Sequence, residues 1–350
     1  MNTFAFDDTG PPPGTNAYTT LIVVHGTGFH KGIFKRLLPL AHGQGIRLVL
    51  INRRDYYGST PFTNAELELI QSTDPIKHNQ FFGDRATELA EFVVAFAERE
   101  HLPKVDETGT IGGVAVMAWS SGNVFAQPLL SFADSIPLPT KIKLEEYFRL
   151  FIILDVPLWV LGDRDPSPTT LTGKLRDPSI PVKERLRSFN YWVSAYYDHP
   201  STTSCRREDL IIWPEDDGTR STAFSNMTAS ELEELTDYSA LPRSEVSGQQ
   251  ICPEVFEEWT RKAIFDDTMA REFFPNVHVA AIWAEKSHWS CVGAGWKYKQ
   301  LLDEYRERSV TGRHLSIIKI PGANHFPHWD QPKQTMDVLE QILNGSHRHP

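Results

Sequence analysis

The sequence has little cysteine, no cluster of basic residues and no long apolar run, and each shortage excludes a class of function. Cys205, Cys252 and Cys291 are its 3 cysteines in 350 residues. They leave one thiol over in any disulfide scheme and show no metal or redox spacing, so reduced thiols in a cytoplasmic protein are the expectation, with no metal and no cofactor. The formal net charge is -10. Nucleic acid and anionic membrane surfaces both recruit partners through a positive field, and neither is expected to bind here. No apolar stretch reaches membrane-spanning length, and the opening MNTFAFDDTGPPPG has acids where a secretory leader needs a basic segment and then a continuous apolar one. There is no internal repeat and no low-complexity tract.

What the chain does contain is a series of short apolar runs rich in β-branched residues: TTLIVVH (19–25), IRLVLIN (46–52), GVAVMAW (113–119), FRLFIIL (148–154), VHVAAIW (277–283) and HLSIIKI (314–320). They are almost continuously hydrophobic, as strands buried on both faces must be. Segments of helical period lie between them: FGDRATELAEFVVAFAERE, the stretch after Ser121, the region from Lys297 to Arg308, and KQTMDVLEQIL. This alternation predicts an α/β fold, a mostly parallel twisted sheet flanked by helices.

The alternation breaks once, after the strand ending at Asp155. Over a hundred residues pass before the next strand, punctuated by Pro157, Pro166, Pro168, Pro178 and Pro181 and holding helical pieces such as VKERLRSFNYWVSAYY and CPEVFEEWTRKAIF. Ser230 and Glu233 have capping-box spacing and mark a helix start there. The acidic PEDDGT reads as a solvated loop. The division expected is a core from 1–156 and 276–350, with a helical lid inserted at 157–275.

The stretch VMAWSSGN, 116–123, carries the first chemical signal. A strand that turns straight into a helix needs small residues on either side of the apex, and Ala118 and Gly122 flank Ser120 at two positions each way. Ser121 would be flanked by Trp119 and Asn123, so Ser120 is the apex and its hydroxyl projects at the carboxyl end of the sheet. Three further segments converge on that end. In LIVVHGTGF the glycine-rich turn through His25, Gly26, Thr27 and Gly28 is expected to turn backbone N–H groups toward a reacting oxygen and complete an oxyanion hole with the amide of Ser121; a plain strand-to-loop turn is the alternative. PGANHFPHWDQP places His325 on a loop after the last strand. FIILDVPLW places Asp155 at the end of an apolar strand, where an unpaired carboxylate is costly.

With Ser120, Asp155 and His325 in that order, and with HGTGF, NRRDYYGS, AWSSG and GANHFPHWDQP as motifs, nearly the whole chain resembles the α/β-hydrolase superfamily. The resemblance implies a serine nucleophile at Ser120, a general base at His325 and an oxyanion hole from the backbone of Thr27, Ser121 and Gly28. Many members carry the acid a few residues past the strand that here reads VHVAAIW, where this chain has Ser287. Asp155 is preferred as the acid, because it otherwise lacks a reason to be where it is, and Glu285 is the alternative. A serine at the elbow also sets the chain apart from the fold's epoxide hydrolases and haloalkane dehalogenases, which attack with a carboxylate.

Phe189, Trp192 and Tyr196 in the insertion, together with Trp119, are candidate substrate-binding residues. Helical spacing allows Phe189, Tyr191, Trp192, Tyr196 and Tyr197 to be internal packing of the lid instead. The expected substrate is a small to medium apolar acyl compound, an ester, lactone or thioester. Water or a hydroxyl of the substrate itself would accept the acyl group. The latter outcome gives a lactone, and the chain resembles fungal members of the superfamily, some of which close a fused β-lactone. A ligand receptor without turnover and a non-catalytic scaffold are the competing classes. His328 is expected to have a structural or surface role rather than to be half of a metal pair with His325, and Arg53 and Arg54 are expected to be ion-pairing residues that fix their loop.

Overall fold

The computed structural model describes residues 4–163, 177, 179–212, 221–245 and 251–345. The strands are β1 (Phe6–Asp8), β2 (Thr19–Val24), β3 (Ile46–Ile51), β4 (Val114–Trp119), β5 (Phe148–Leu154), β6 (His278–Ala284) and β7 (Leu315–Ile320). Among the described residues they form one seven-stranded sheet in the order β1-β3-β2-β4-β5-β6-β7. Every pairing is parallel except β1 with β3.

Burial follows strand periodicity. Ile22, Val24, Val116, Ala118, Phe151 and Ile153 face one way, into a core shared with Phe81, Phe82, Leu89 and Val93 of the long helix α1 (Pro75–Arg99). Leu21, Val23, Ala115, Met117 and Ile152 face the other way and pack with Met336 and Leu339 of α2 (Pro332–Leu343). Both faces are covered, so the central strands β2 to β5 are buried along their whole length.

The strand order reverses at β2, with β3 added on one side and β4 on the other. Such a switch point opens a crevice at the carboxyl ends of the strands. The turns after β2, β4, β5, β6 and β7 all open onto that edge.

Between Asp155 and β6 the described residues form helices, isolated bridges and loops, without a strand paired into the sheet. Pro166, Pro168, Pro178 and PEDDGT lie outside the described residues. Several sequence expectations are adjusted. The antiparallel edge strand β1 is too short and too polar to stand out. The helix around Lys297 begins earlier and spans Trp289–Glu307. The helix Ala229–Leu235 is capped two residues before the expected pair, since Thr228 accepts from the Glu231 amide and Glu231 answers at the Thr228 amide. Ser230 and Glu233 share that spacing but lie inside the helix. Among the described residues no helix is long and apolar enough to cross a membrane.

Candidate active site

Ser120 stands at the junction of β4 and a short helical turn, with φ +54°. A positive φ is unfavourable for a residue with a Cβ and persists where surrounding structure enforces it. Here the enforcement is visible. The Asn123 side chain donates to the carbonyls of Ala118 (3.0 Å) and Ser120 (2.8 Å), closing the turn. A Cβ on Gly122 would lie 2.4 Å from the His25 carbonyl oxygen, and one on Gly26 would lie 3.0 Å from the Ser120 Cβ. Strand β2 and the elbow therefore approach as closely as backbones allow.

The two adjacent serines differ in their engagement. Ser121 is buried, with its Oγ 2.6 Å from Thr27 Oγ1. Its hydroxyl is held in a side-chain network and is not presented at the apex.

Asp155 follows β5 directly, also at a positive φ of 44°, and is fully buried. Its carboxylate is well supplied with donors: Oδ2 accepts from His325 Nδ1 (2.6 Å) and Ser287 Oγ (2.6 Å), and Oδ1 accepts from the Ala284 amide (2.8 Å). Because a carboxylate only accepts, Nδ1 of His325 carries the proton and Nε2 is the nitrogen with a lone pair for proton transfer. Glu285, the alternative acid, is directed elsewhere, to Lys319 Nζ (2.5 Å) and the Gly322 amide (3.0 Å).

The loop carrying His325 is locked to the elbow. Trp119 Nε1 donates to the His325 carbonyl (2.9 Å), and the imidazole lies 5.0 Å from the Trp119 ring, centroid to centroid. Trp119 differs from its expected place in a substrate pocket. It points to the same side of β4 as Ala115 and Met117, is 1% exposed, and packs among Phe29, Phe34, Phe326 and His328.

On the β2 side, the Gly28 amide donates to Tyr56 Oη (3.2 Å), which engages that donor and leaves the amides of Thr27 and Ser121 as the oxyanion candidates. Tyr238 and Phe189 lie over Gly28, where a Cβ would meet their rings at 2.9 and 3.8 Å. Trp192 stacks on His288 at 3.9 Å, and Tyr196 donates to Asp330 (2.7 Å). Of the candidate substrate-binding residues in the insertion, Phe189 lies against the turn at Gly28. Tyr197 is buried, its hydroxyl on the Trp192 carbonyl.

Three features beside the site carry no sequence signal strong enough to find them: Ser287 as an Asp155 donor, the His288–Cys291 pair next to His325, and Glu245. Cys291 Sγ lies 3.3 Å from His288 Nε2 and 3.6 Å from His325 Nδ1. Among the described residues these three are the group with metal-ligand spacing, their ligand atoms within 4.8 Å of one another. His325 Nδ1 is already committed to Asp155. Burial, then the Asp155 charge, pushes the Cys291 thiol well up, and burial, then His325, lowers His288 well below the usual imidazole range. They are a protonated thiol and a neutral ring, packing around the His325–Asp155 bond. His328 is fully buried between Phe34 and Trp119, a structural place, and Arg53 and Arg54 are each ion-paired, to Glu245 and to Glu66 and Glu88.

A mostly parallel seven-stranded sheet flanked by helices, with Ser120, Asp155 and His325 each on a turn at the carboxyl ends of its strands, has the architecture of the α/β hydrolases. The chain belongs to the alpha/beta hydrolase family, whose model matches residues 21–338. Among solved structures it is similar to a laboratory-evolved variant of potato epoxide hydrolase, with TM-score 0.57, 14% identity, and 98% of this chain and 96% of that one covered. It is also similar to a proposed aryl esterase from Burkholderia cenocepacia, with TM-score 0.54, 12% identity, and coverage of 99% and 96%. At these identities the likeness concerns the fold. No curated protein sequence matches.

Proposed function

We propose that this protein is a serine-dependent acyl-transfer enzyme acting on a small to medium apolar ester, lactone or thioester, with residues 157–275 serving as a lid on the core formed by 1–156 and 276–350. The observation that carries the reading is the 2.6 Å bond from His325 to Asp155 at the sheet edge where Ser120 occupies a strained strand-to-helix apex. In this scheme Ser120 Oγ attacks the carbonyl carbon and His325 Nε2 takes its proton. The Thr27 and Ser121 amides stabilise the oxyanion, and His325 returns the proton to the leaving group as the acyl-enzyme forms. Water attacks the acyl-enzyme in the second half, with His325 again the base. Asp155 holds the imidazole in the tautomer this requires and faces the positive charge it acquires.

The serine at the elbow separates the chain from carboxylate-nucleophile epoxide hydrolysis, whatever the fold likeness to the potato enzyme. The aromatic cover from Phe189 and Tyr238 over Gly28 favours an apolar acyl group and a site poor in water. That cover also supports a second outcome, capture of the acyl group by a hydroxyl of the same substrate to close a lactone. Incubation with a panel of activated acyl esters tests both. The expected result is an acyl adduct on Ser120 in intact-protein mass spectra, absent in Ser120→Ala, with free acid or cyclised product identifying the acceptor. A wild-type protein that forms no adduct and turns over none of the panel would contradict the proposal.

A further inference from the structure

The loop after β2, Gly26 to His30, is gripped from two directions by the helical insertion. On its outer side the backbone pairs with the segment after the Thr228-capped helix: Phe29 and Thr236 form an antiparallel bridge, the Asp237 amide donates to the Gly28 carbonyl (3.0 Å), and the His30 amide donates to the Leu235 carbonyl (3.3 Å). On its inner side stands Glu245, a second piece of the same insertion, only 4% exposed.

Every oxygen of that carboxylate is used. Oε2 accepts from Thr27 Oγ1 (2.6 Å), and Oε1 accepts from Tyr56 Oη (2.7 Å) and from the Arg53 guanidinium. Tyr56 Oη in turn accepts from the Gly28 amide (3.2 Å) and from Arg53 (3.1 Å). Burial, then the Glu245 charge, pushes the Tyr56 phenol well up, so it stays a donor. The proton order is then forced. Thr27 has one hydroxyl proton and gives it to Glu245, so Ser121 donates to Thr27 across their 2.6 Å contact. A single insertion carboxylate thus fixes, through one hydroxyl each, the Gly28 amide and the Thr27–Ser121 pair whose amides form the oxyanion hole in the mechanism above.

We propose that Glu245 is a positioning residue that seats the oxyanion loop against the elbow, so that the oxyanion hole is complete only while the helical insertion is docked. This rests on the serine acyl-transfer reading. The insertion is then part of the catalytic apparatus as well as a cover. Donors aimed at a developing oxyanion lose most of their effect when displaced by a fraction of an ångström, because they act through short, directed hydrogen bonds.

The test uses the full chain with a p-nitrophenyl acyl ester and a fluorophosphonate as probes, with folding checked by near-ultraviolet circular dichroism. Glu245→Gln is expected to lower kcat by about ten- to a hundredfold with KM within about threefold, and to slow Ser120 labelling in step. That change leaves the buried Arg53 without its counter-ion and could prevent folding. Thr27→Val keeps the Arg53–Glu245 ion pair and removes the hydroxyl that joins Glu245 to Ser121, and is expected to give the same kcat-selective loss; Thr27→Ser, which restores the hydroxyl, regains at least about tenfold over it. Combining Glu245→Gln with Thr27→Val should cost little beyond the worse single change. Wild-type Ser120 that reacts normally while folded Thr27→Val retains wild-type kcat overturns the positioning role alone. Wild-type Ser120 that does not react overturns the acyl-transfer reading and this inference with it.

Discussion

Asp155 is a fully buried carboxylate, and its surroundings explain why it is tolerated. Three donors from two segments, the Ala284 amide and Ser287 hydroxyl at the end of β6 and the His325 ring after β7, converge on one carboxylate. Removing its charge should therefore act on chemistry before stability. Asp155→Asn is expected to lower kcat by about 10⁴-fold by leaving His325 in the wrong tautomer, whereas Glu285→Gln, which disturbs a partly exposed pair with Lys319 and keeps an oxygen for the Gly322 amide, should stay within about twofold. Steady-state kinetics on one activated ester checks both, and the reverse ranking would move the acid to Glu285. Ser287→Ala should fall between them, at about tenfold, from loss of one hydrogen bond to a charged group. At this scale the legible residues are those whose type conflicts with a simple local pattern: an aspartate ending an apolar strand, a serine between small flanks. Ser287 and Glu245 conflict with nothing nearby. Their partners lie 132 and 218 positions away, and only the folded arrangement reveals them.

At the scale of elements, the strand-to-helix turn is specified by what it cannot contain. Ala118 and Gly122 are readable as small flanks, and the structure gives the reason in the 2.4 Å approach that a Cβ on Gly122 would make to the His25 carbonyl. Gly122→Ala is expected to cost about 3 kcal/mol in denaturant unfolding, since neither backbone can yield without breaking β2–β4 pairing. Thr228→Ala should cost about 1 kcal/mol for the lost cap, and exchange of the Asp237 and His30 amides should quicken as the segment that bridges the loop after β2 loosens. The six long strands are legible because burial on both faces demands an unbroken apolar run. β1 is not, because an edge strand of three residues with two aspartates needs only backbone pairing. Helix starts shift for a related reason: several pairs of residues share capping-box spacing, and packing selects among them.

At the scale of the whole molecule, the sheet holds a set of neutral histidines whose charging opposes the fold. His25, His288 and His328 are buried, and burial is the largest cause that lowers each below the ordinary value of 6.5, with Arg53 adding to it at His25 and His325 at the other two. A group lowered in the folded state contributes fully above the unfolded value and loses that contribution as the pH falls through it. Stability should therefore decline below about pH 6.5, each histidine taking about 1.4 kcal/mol per pH unit. The acids held low, such as Glu66 at about 2, add their loss only below about pH 4.5. Among the described residues neither ring nitrogen of His328 has a hydrogen-bond partner. His328→Phe should thus raise stability at pH 6 and flatten the decline between pH 6.5 and 5 in denaturant titrations, by one proton's worth.

The architecture and the order of the site segments can be read from the chain because a parallel sheet brings the carboxyl ends of its strands to one edge whatever lies between them. Which residues between Asp155 and β6 contact that edge cannot be read from it, since those contacts are pairwise and distant in sequence, as Glu245 with Thr27. The most direct measurement is peptide mapping after fluorophosphonate treatment of the folded protein. One adduct, on Ser120, lost in Ser120→Ala and strongly slowed in His325→Ala, is the result expected. An adduct on Ser121, or a folded protein that takes up none, would contradict the convergence of these side chains into a working nucleophile.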